Sequence, residues 1–244
     1  MNRAGHYFER AIRAYHNREW DDLLLQLCPC IEAASTHEIG RPGRSSFRDY
    51  VNKNLPYALY ILGGPSFSKM SLAVRAKGFF NEQAVRDLEK AHQPQSLHPI
   101  TDALPSHVAE IFRKKNEVIA QQEQARVDNG IYCVPFGHIM YHCLRCEFLH
   151  GPGSSGIIDF HEHNTIDNTD YKLKLPIHIL YGYTLLTLAS PVFKGETHSF
   201  NLHIEWPHLG ANTKLDWLWG KRGTLINLAR MDRDAKHSAR TDHL

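Results

Sequence analysis

An arginine and a histidine five positions apart, Arg145 and His150, close an apolar run that Gly151-Pro152-Gly153 then breaks. The run itself reads Tyr141-His142-Cys143-Leu144-Arg145-Cys146-Glu147-Phe148-Leu149-His150. A guanidinium is a permanent cation with a fork of donors, and an imidazole exchanges protons near neutral pH. The two together suit chemistry on a phosphodiester without a metal: one group neutralises charge and the other moves a proton.

Such a pair needs a helix to hold it. At roughly 100° per residue, Phe136, Met140, Cys143 and Leu144 share one face, which should pack into a core. Arg145 lies roughly 140° from Met140, off that stripe, and one turn after Tyr141. His150 is about 140° further round, on the opposite flank. The two side chains therefore converge only on a ligand across the helix end, or on a neighbour such as a second subunit. Glu147 falls near the centre of the apolar stripe and needs a partner there, an arginine or a Tyr or His donor from a facing helix.

Around this helix the periodicity predicts others. Phe8, Ala11, Ile12 and Tyr15 recur at helical spacing over residues 4–16. A second helix carries Trp20, Leu23, Leu24, Leu27, Ile31 and Ala34, with Asn17 as its cap and Pro29 as a kink. Residues 40–46 read as a loop and 47–62 as a third helix. A further helix runs from Ser106 toward Gln124, and the Arg145–His150 helix starts near Val134 or Pro135. Short β-prone pieces follow at residues 157–160 and 171–174. Pro176 then opens an apolar helix through Ile179, Leu180, Tyr183, Leu186 and Leu188. Residues 199–206 alternate like a strand, and residues 216–229 read as a final helix before a polar tail.

The chain of 244 residues has 42% hydrophobic and 22% charged residues and a net charge of +2, ordinary values for a soluble globular protein. So nearly balanced a charge makes any nucleic-acid footprint local. No run approaches a membrane span, and the start lacks the apolar core of a signal peptide. Five cysteines are an odd count, too sparse for a disulfide scaffold, so the expected compartment is the cytoplasm. Seventeen histidines are scattered, as surface or satisfied core residues would be.

Other residue clusters offer chemistry that competes with simple packing. Cys28-Pro29-Cys30 and Cys143-x-x-Cys146 touch on zinc-ligand spacings, but both pairs sit inside helical patterns without knuckle turns. His161-Glu162-His163 could present two imidazoles on a strand, with His178, His198, His203 or His208 as a third ligand. A polar turn with solvated histidines explains the same residues, and no cofactor or metal is implied. There is no phosphate-binding loop, nucleophile elbow or zincin helix. The clusters Arg41, Arg44 and Arg48, Arg113-Lys114-Lys115 and the tail from Lys221 read as solvated faces that could meet RNA. Trp206, Trp217 and Trp219 could stack bases or pack in a core.

Residues 141–151 resemble the signature helix of HEPN domains, in which Arg and a usually polar residue precede three variable positions and a His. The early run from Trp20-x-x-Leu23 to Ile31-Glu32-Ala33 is similar to the opening of an uncharacterised group of HEPN-like bacterial proteins. So is Lys174-Leu175-Pro176 leading into Tyr181-Gly182 and Ala189-Ser190-Pro191. As arrangement the likeness spans residues 6–200; closely, it covers only the Arg145 motif and the helix after Pro176.

The resemblance implies a metal-independent endoribonuclease that cleaves RNA by 2′-hydroxyl attack at a homodimer cleft. Arg145 would stabilise phosphoryl charge and His150 would exchange protons, with Tyr141, Cys146 and Glu147 in support. Cys146 stands where the family usually has Asn, Asp or His, and a thiol is a poor donor to phosphate. A non-catalytic RNA- or protein-binding module, in a defence or toxin–antitoxin context, is the alternative. The expected fold is mainly α, a HEPN-like helical bundle with a small β insertion and a C-terminal extension. Its divisions are residues 1–200 for the helical domain, 201–231 for a strand and helix packed on it, and 232–244 for a polar tail.

Overall fold

The computed structural model describes residues 3–61, 137, 140–145, 158–162 and 173–241. Among these residues the fold is mainly helical, as expected: α1 (Arg3–Asn17), α2 (Trp20–Ile39), α3 (Arg44–Tyr60), α4 (His178–Leu188) and α5 (Arg222–Thr241). A π-helical turn spans Met140–Arg145. Four short strands, β1 (Ile158–His161), β2 (Leu173–Pro176), β3 (His203–Trp206) and β4 (Ala211–Lys214), form two separate pairs.

Helix α2 lies at the centre, against α1, α3, α4 and the π turn. Its sequence explains the position: Leu23, Leu24, Leu27, Cys28, Cys30, Ile31 and Ala34 are all buried, a stripe too wide for a helix with one neighbour. Each fully buried leucine or isoleucine stabilises the fold by about 1.5–3 kcal/mol. Pro29 lies inside α2 without ending it. In α1, Phe8, Ala11 and Ile12 are fully buried at the expected spacing.

Asn17 does not cap α2; it is the last residue of α1. The chain reverses at Arg18, whose φ of 64° is left-handed, and the residue before α2 is Glu19. The Glu19 amide donates back to the Ala14 carbonyl at 2.8 Å, and its own carbonyl accepts from Leu23 at 3.0 Å. A link this tight leaves Asn17 helical, so its side chain cannot serve the next helix. Similarly, α3 begins at Arg44 and takes in part of the expected 40–46 loop.

Helix α4 is buried on every side from Ile179 to Leu188. Its polar side chains have partners: the Tyr183 hydroxyl donates across to the Val51 carbonyl of α3 at 2.6 Å, and Thr184 Oγ1 to the Leu180 carbonyl one turn back at 2.9 Å. Pro176, expected in the first turn of this helix, instead ends β2, which runs parallel to β1 in the register Ile158↔Leu173 to His161↔Pro176. The next residue, Ile177, donates its amide to the His161 carbonyl at 2.9 Å, and α4 starts only at His178. Strand ends tolerate proline because no ladder donor is needed there.

Strands β3 and β4 form an antiparallel hairpin with Ile204 and Trp206 turned inward. The strand is shorter than the alternation over 199–206 suggests, because Asp216 takes the Ser199 hydroxyl and the Phe200 amide out of any ladder. The expected 216–229 helix divides into a 3₁₀ turn, Leu215–Leu218, and α5, which continues through most of the expected polar tail. Helix α5 contacts α3, α4 and β3. No helix among the described residues is long and apolar enough to cross a membrane.

Candidate functional site

Gly137 and the π turn that carries Arg145 both pack against α3. The Gly137 amide donates to Asn52 Oδ1 at 2.6 Å, and a Cβ on Gly137 would stand 2.4 Å from the Arg48 carbonyl oxygen. Only glycine permits that approach. Met140 and Leu144 are then fully buried, as their shared face requires, and the Tyr141 ring meets Phe47 edge-on with centroids 5.5 Å apart.

Arg145 reaches from this turn to α2. Its Nη2 donates to Glu32 Oε2 at 2.8 Å, and Nη1 reaches the Tyr141 hydroxyl at 3.4 Å. The guanidinium carbon stands 4.9 Å from the Tyr141 ring centroid and 6.0 Å from that of Phe47. The negative faces of aromatic rings favour a cation at such distances. The Arg145 side chain is 14% exposed, whereas Glu32 is 43% exposed. The ion pair thus sits at a boundary, with its cation mostly covered and its anion half in water.

The 3.6-residue wheel places Arg145 off the buried stripe, and the π turn changes that. In a π turn the hydrogen bonds join residues five apart, so each residue is rotated less than in an α-helix. Met140 and Arg145, the ends of this turn, come nearer to one face than α geometry allows. This explains why a flanking arginine is largely covered while still one turn from Tyr141. Single π turns inside helices recur at functional sites.

Of the proposed site residues, Arg145 and Tyr141 are therefore brought together, while Cys146, Glu147 and His150 lie outside the described residues. Glu32 is the member that sequence reasoning did not pair with Arg145. It stood in the Ile31-Glu32-Ala33 run, and its signal was a carboxylate following a run of core positions, without anything to name its partner across 113 residues.

The other candidates resolve in part. Cys28 and Cys30 are buried core thiols, and burial pushes the Cys30 thiol far up, with Cys28 adding to it. This is packing, not an accessible thiolate pair. His178 is held between the Tyr15 hydroxyl, 2.6 Å from Nδ1, and the Glu162 carbonyl, 3.1 Å from Nε2. Tyr15 itself is pushed up to about 12 by burial and then by the Glu162 charge, and it stacks on Tyr181 at 4.0 Å. Glu162 also pairs with Arg18 at 2.8 Å. The Glu162 carboxylate and the His178 imidazole thus have partners of their own. Trp206 and Trp219 are buried, and only Trp217, at 62% exposure, presents a ring to solvent. Arg41 pairs loosely with Asp49 at 3.7 Å, both exposed. Residues 113–115 lie outside the described residues.

Compared with known proteins, residues 4–241 match the family model named Rv1289. The chain belongs to the Rv1289 family. That is a family of unknown function, so membership accounts for nearly the whole chain but assigns no chemistry to Arg145. No curated protein and no solved structure matches the chain.

Proposed function

We propose that this Rv1289-family protein is a cytoplasmic, homodimeric RNA-acting protein of HEPN type, cutting phosphodiesters without a metal. Arg145 neutralises the phosphoryl oxygens, and His150 exchanges a proton with the 2′-hydroxyl or the leaving oxygen. The supporting observation is the Arg145–Glu32 pair. A covered, aromatic-flanked guanidinium is held in one orientation by a carboxylate that itself reaches solvent. A phosphate taking the place of Glu32 conserves the charge-assisted hydrogen bond and offers a further oxygen to the guanidinium fork. Preorganised donors of this kind stabilise transition-state charge without reorganisation.

The test is RNA cleavage by folded, purified protein in EDTA. The expected products carry 2′,3′-cyclic phosphates, and Arg145→Ala or His150→Ala lowers the rate by about 10²-fold or more. Intact RNA after incubation with folded, dimeric protein overturns the nuclease reading.

A second reading, a non-catalytic RNA- or protein-binding module, is favoured by two features. Cys146 replaces the usual polar neighbour of the arginine, and Glu32 already occupies the guanidinium in the free protein. Salt-dependent RNA binding without cleavage distinguishes it.

A further inference from the structure

Three metal-ligating side chains meet far along the chain from Arg145. His6 and Glu9 lie one turn apart on α1, and His198 lies in the segment between α4 and β3. One ligand atom from each falls within 4.8 Å of the others. We propose that His6, Glu9 and His198 form a binding site for a divalent transition-metal ion of the Zn²⁺ class, tying the start of α1 to the segment before β3.

The donor set has the right chemistry. Two imidazole nitrogens and one carboxylate oxygen are borderline ligands that suit Zn²⁺ and leave a position open for water. Metal–ligand bonds of about 2.0–2.2 Å at tetrahedral angles put ligand atoms about 3.4 Å apart. His198 Nε2 and Glu9 Oε2 are already 3.0 Å apart, and small rotations of the exposed His6 close the third side. The His6 and His198 rings stand 4.9 Å apart at 65°, edge to face rather than stacked.

The surroundings are built for His198. A Cβ on Gly5 would lie 2.2 Å from His198 Cβ, so the imidazole reaches α1 only because position 5 has no side chain. Its backbone is fixed from both directions. Glu196 Oε1 accepts the Thr197 and His198 amides at 2.9 and 3.1 Å, and Trp219 Nε1 donates to the His198 carbonyl at 3.0 Å. Asp216 binds the Ser199 hydroxyl and the Phe200 amide on the other side. Glu9 is oriented as well: Arg13 Nη2 holds Oε1 at 2.8 Å, which leaves Oε2 for His198 or a metal. Such outer contacts orient ligands and raise affinity for a metal.

The sequence contains seventeen histidines, and nothing in their spacing separates these two from the rest. The site is assembled from positions 189 residues apart.

The full-length protein, stripped with EDTA and freed of chelator, is titrated with Zn²⁺ by calorimetry and with Co²⁺ by absorption. One equivalent should bind, and the Co²⁺ form should show weak visible bands without a thiolate charge-transfer band. His6→Ala and Glu9→Gln, checked for folding by circular dichroism, should each weaken binding by more than about tenfold. Absence of binding by the wild type overturns the proposal, as does affinity unchanged in both variants. A thiolate band from Co²⁺ also overturns it, because that places the metal on cysteine. These readouts are independent of RNA cleavage, so the two proposals stand or fall separately.

Discussion

Helix α2 makes two glutamate–arginine pairs six residues apart, and they differ in how completely each is enclosed. Glu38 accepts from Arg222 through both oxygens, at 2.8 and 2.5 Å, and from Ser190 Oγ at 2.6 Å. Arg222 Nη2 also reaches the hydroxyl of fully buried Tyr50 at 3.2 Å. Side-chain exposure is 11% for Glu38 and 20% for Arg222. Glu32, by contrast, receives Arg145 through one oxygen and is 43% exposed. The first pair is bidentate and largely enclosed, and it joins the start of α5 to α2 and α3. The second keeps carboxylate surface in water, so its anion can be exchanged. One chemistry thus serves as a lock at one end of the helix and as a candidate binding point near its middle.

The comparison breaks most visibly if the lock is not a lock. Arg222→Ala leaves the Glu38 carboxylate enclosed without its cation and should lower unfolding free energy by about 3 kcal/mol in urea titration. A loss below about 1 kcal/mol would place Arg222 with ordinary surface pairs.

A smaller effect is expected at the other pair. Glu32→Gln should change stability by no more than about 1 kcal/mol, because its carboxylate is solvated. The same substitution should tighten RNA binding several-fold at low salt, measured by fluorescence anisotropy. Equal destabilisation by Glu32→Gln and Glu38→Gln would erase the distinction between them.

The smallest expected effect is on alkaline stability. Burial, partly offset by the Arg222 charge, pushes Tyr50 up to about 12 from an ordinary 10.0. An acid whose folded value is raised keeps its proton when the unfolded chain loses it. The contribution is therefore complete below pH 10 and is lost as pH rises from there toward 12. Tyr50→Phe should flatten the fall in melting temperature over that window. An unchanged slope in the variant would mean that burial does not protect Tyr50 from ionisation.

Much of the helical frame was legible in the sequence. Phe8, Ala11 and Ile12, then Leu23, Leu24 and Leu27 of α2, and Ile179, Leu180 and Leu186 recur with a period that only helices use, and all are buried. Boundaries were less legible. Asn17 and Pro176 have the right chemistry for helix starts, yet one ends a helix and the other a strand, because the path of the chain between elements set their roles. At the candidate site, Met140 and Leu144 were placed correctly by a 3.6-residue wheel. Arg145 was not, because a π turn leaves no composition signal in six residues.

By itself the sequence determined that the segments of α1 to α4 are helical, which of their residues are apolar, and that an arginine follows an apolar face at residue 145. Those properties arise within one or two turns, where propensity and periodicity act. The tertiary structure alone decided that Arg145 meets Glu32, that Arg222 meets Glu38, and that His198 meets His6 and Glu9 over Gly5. Each of these contacts joins positions more than a hundred residues apart. Their energies depend on burial and on distances of a few ångströms, which are set by helix packing and not by the order of residues along the chain.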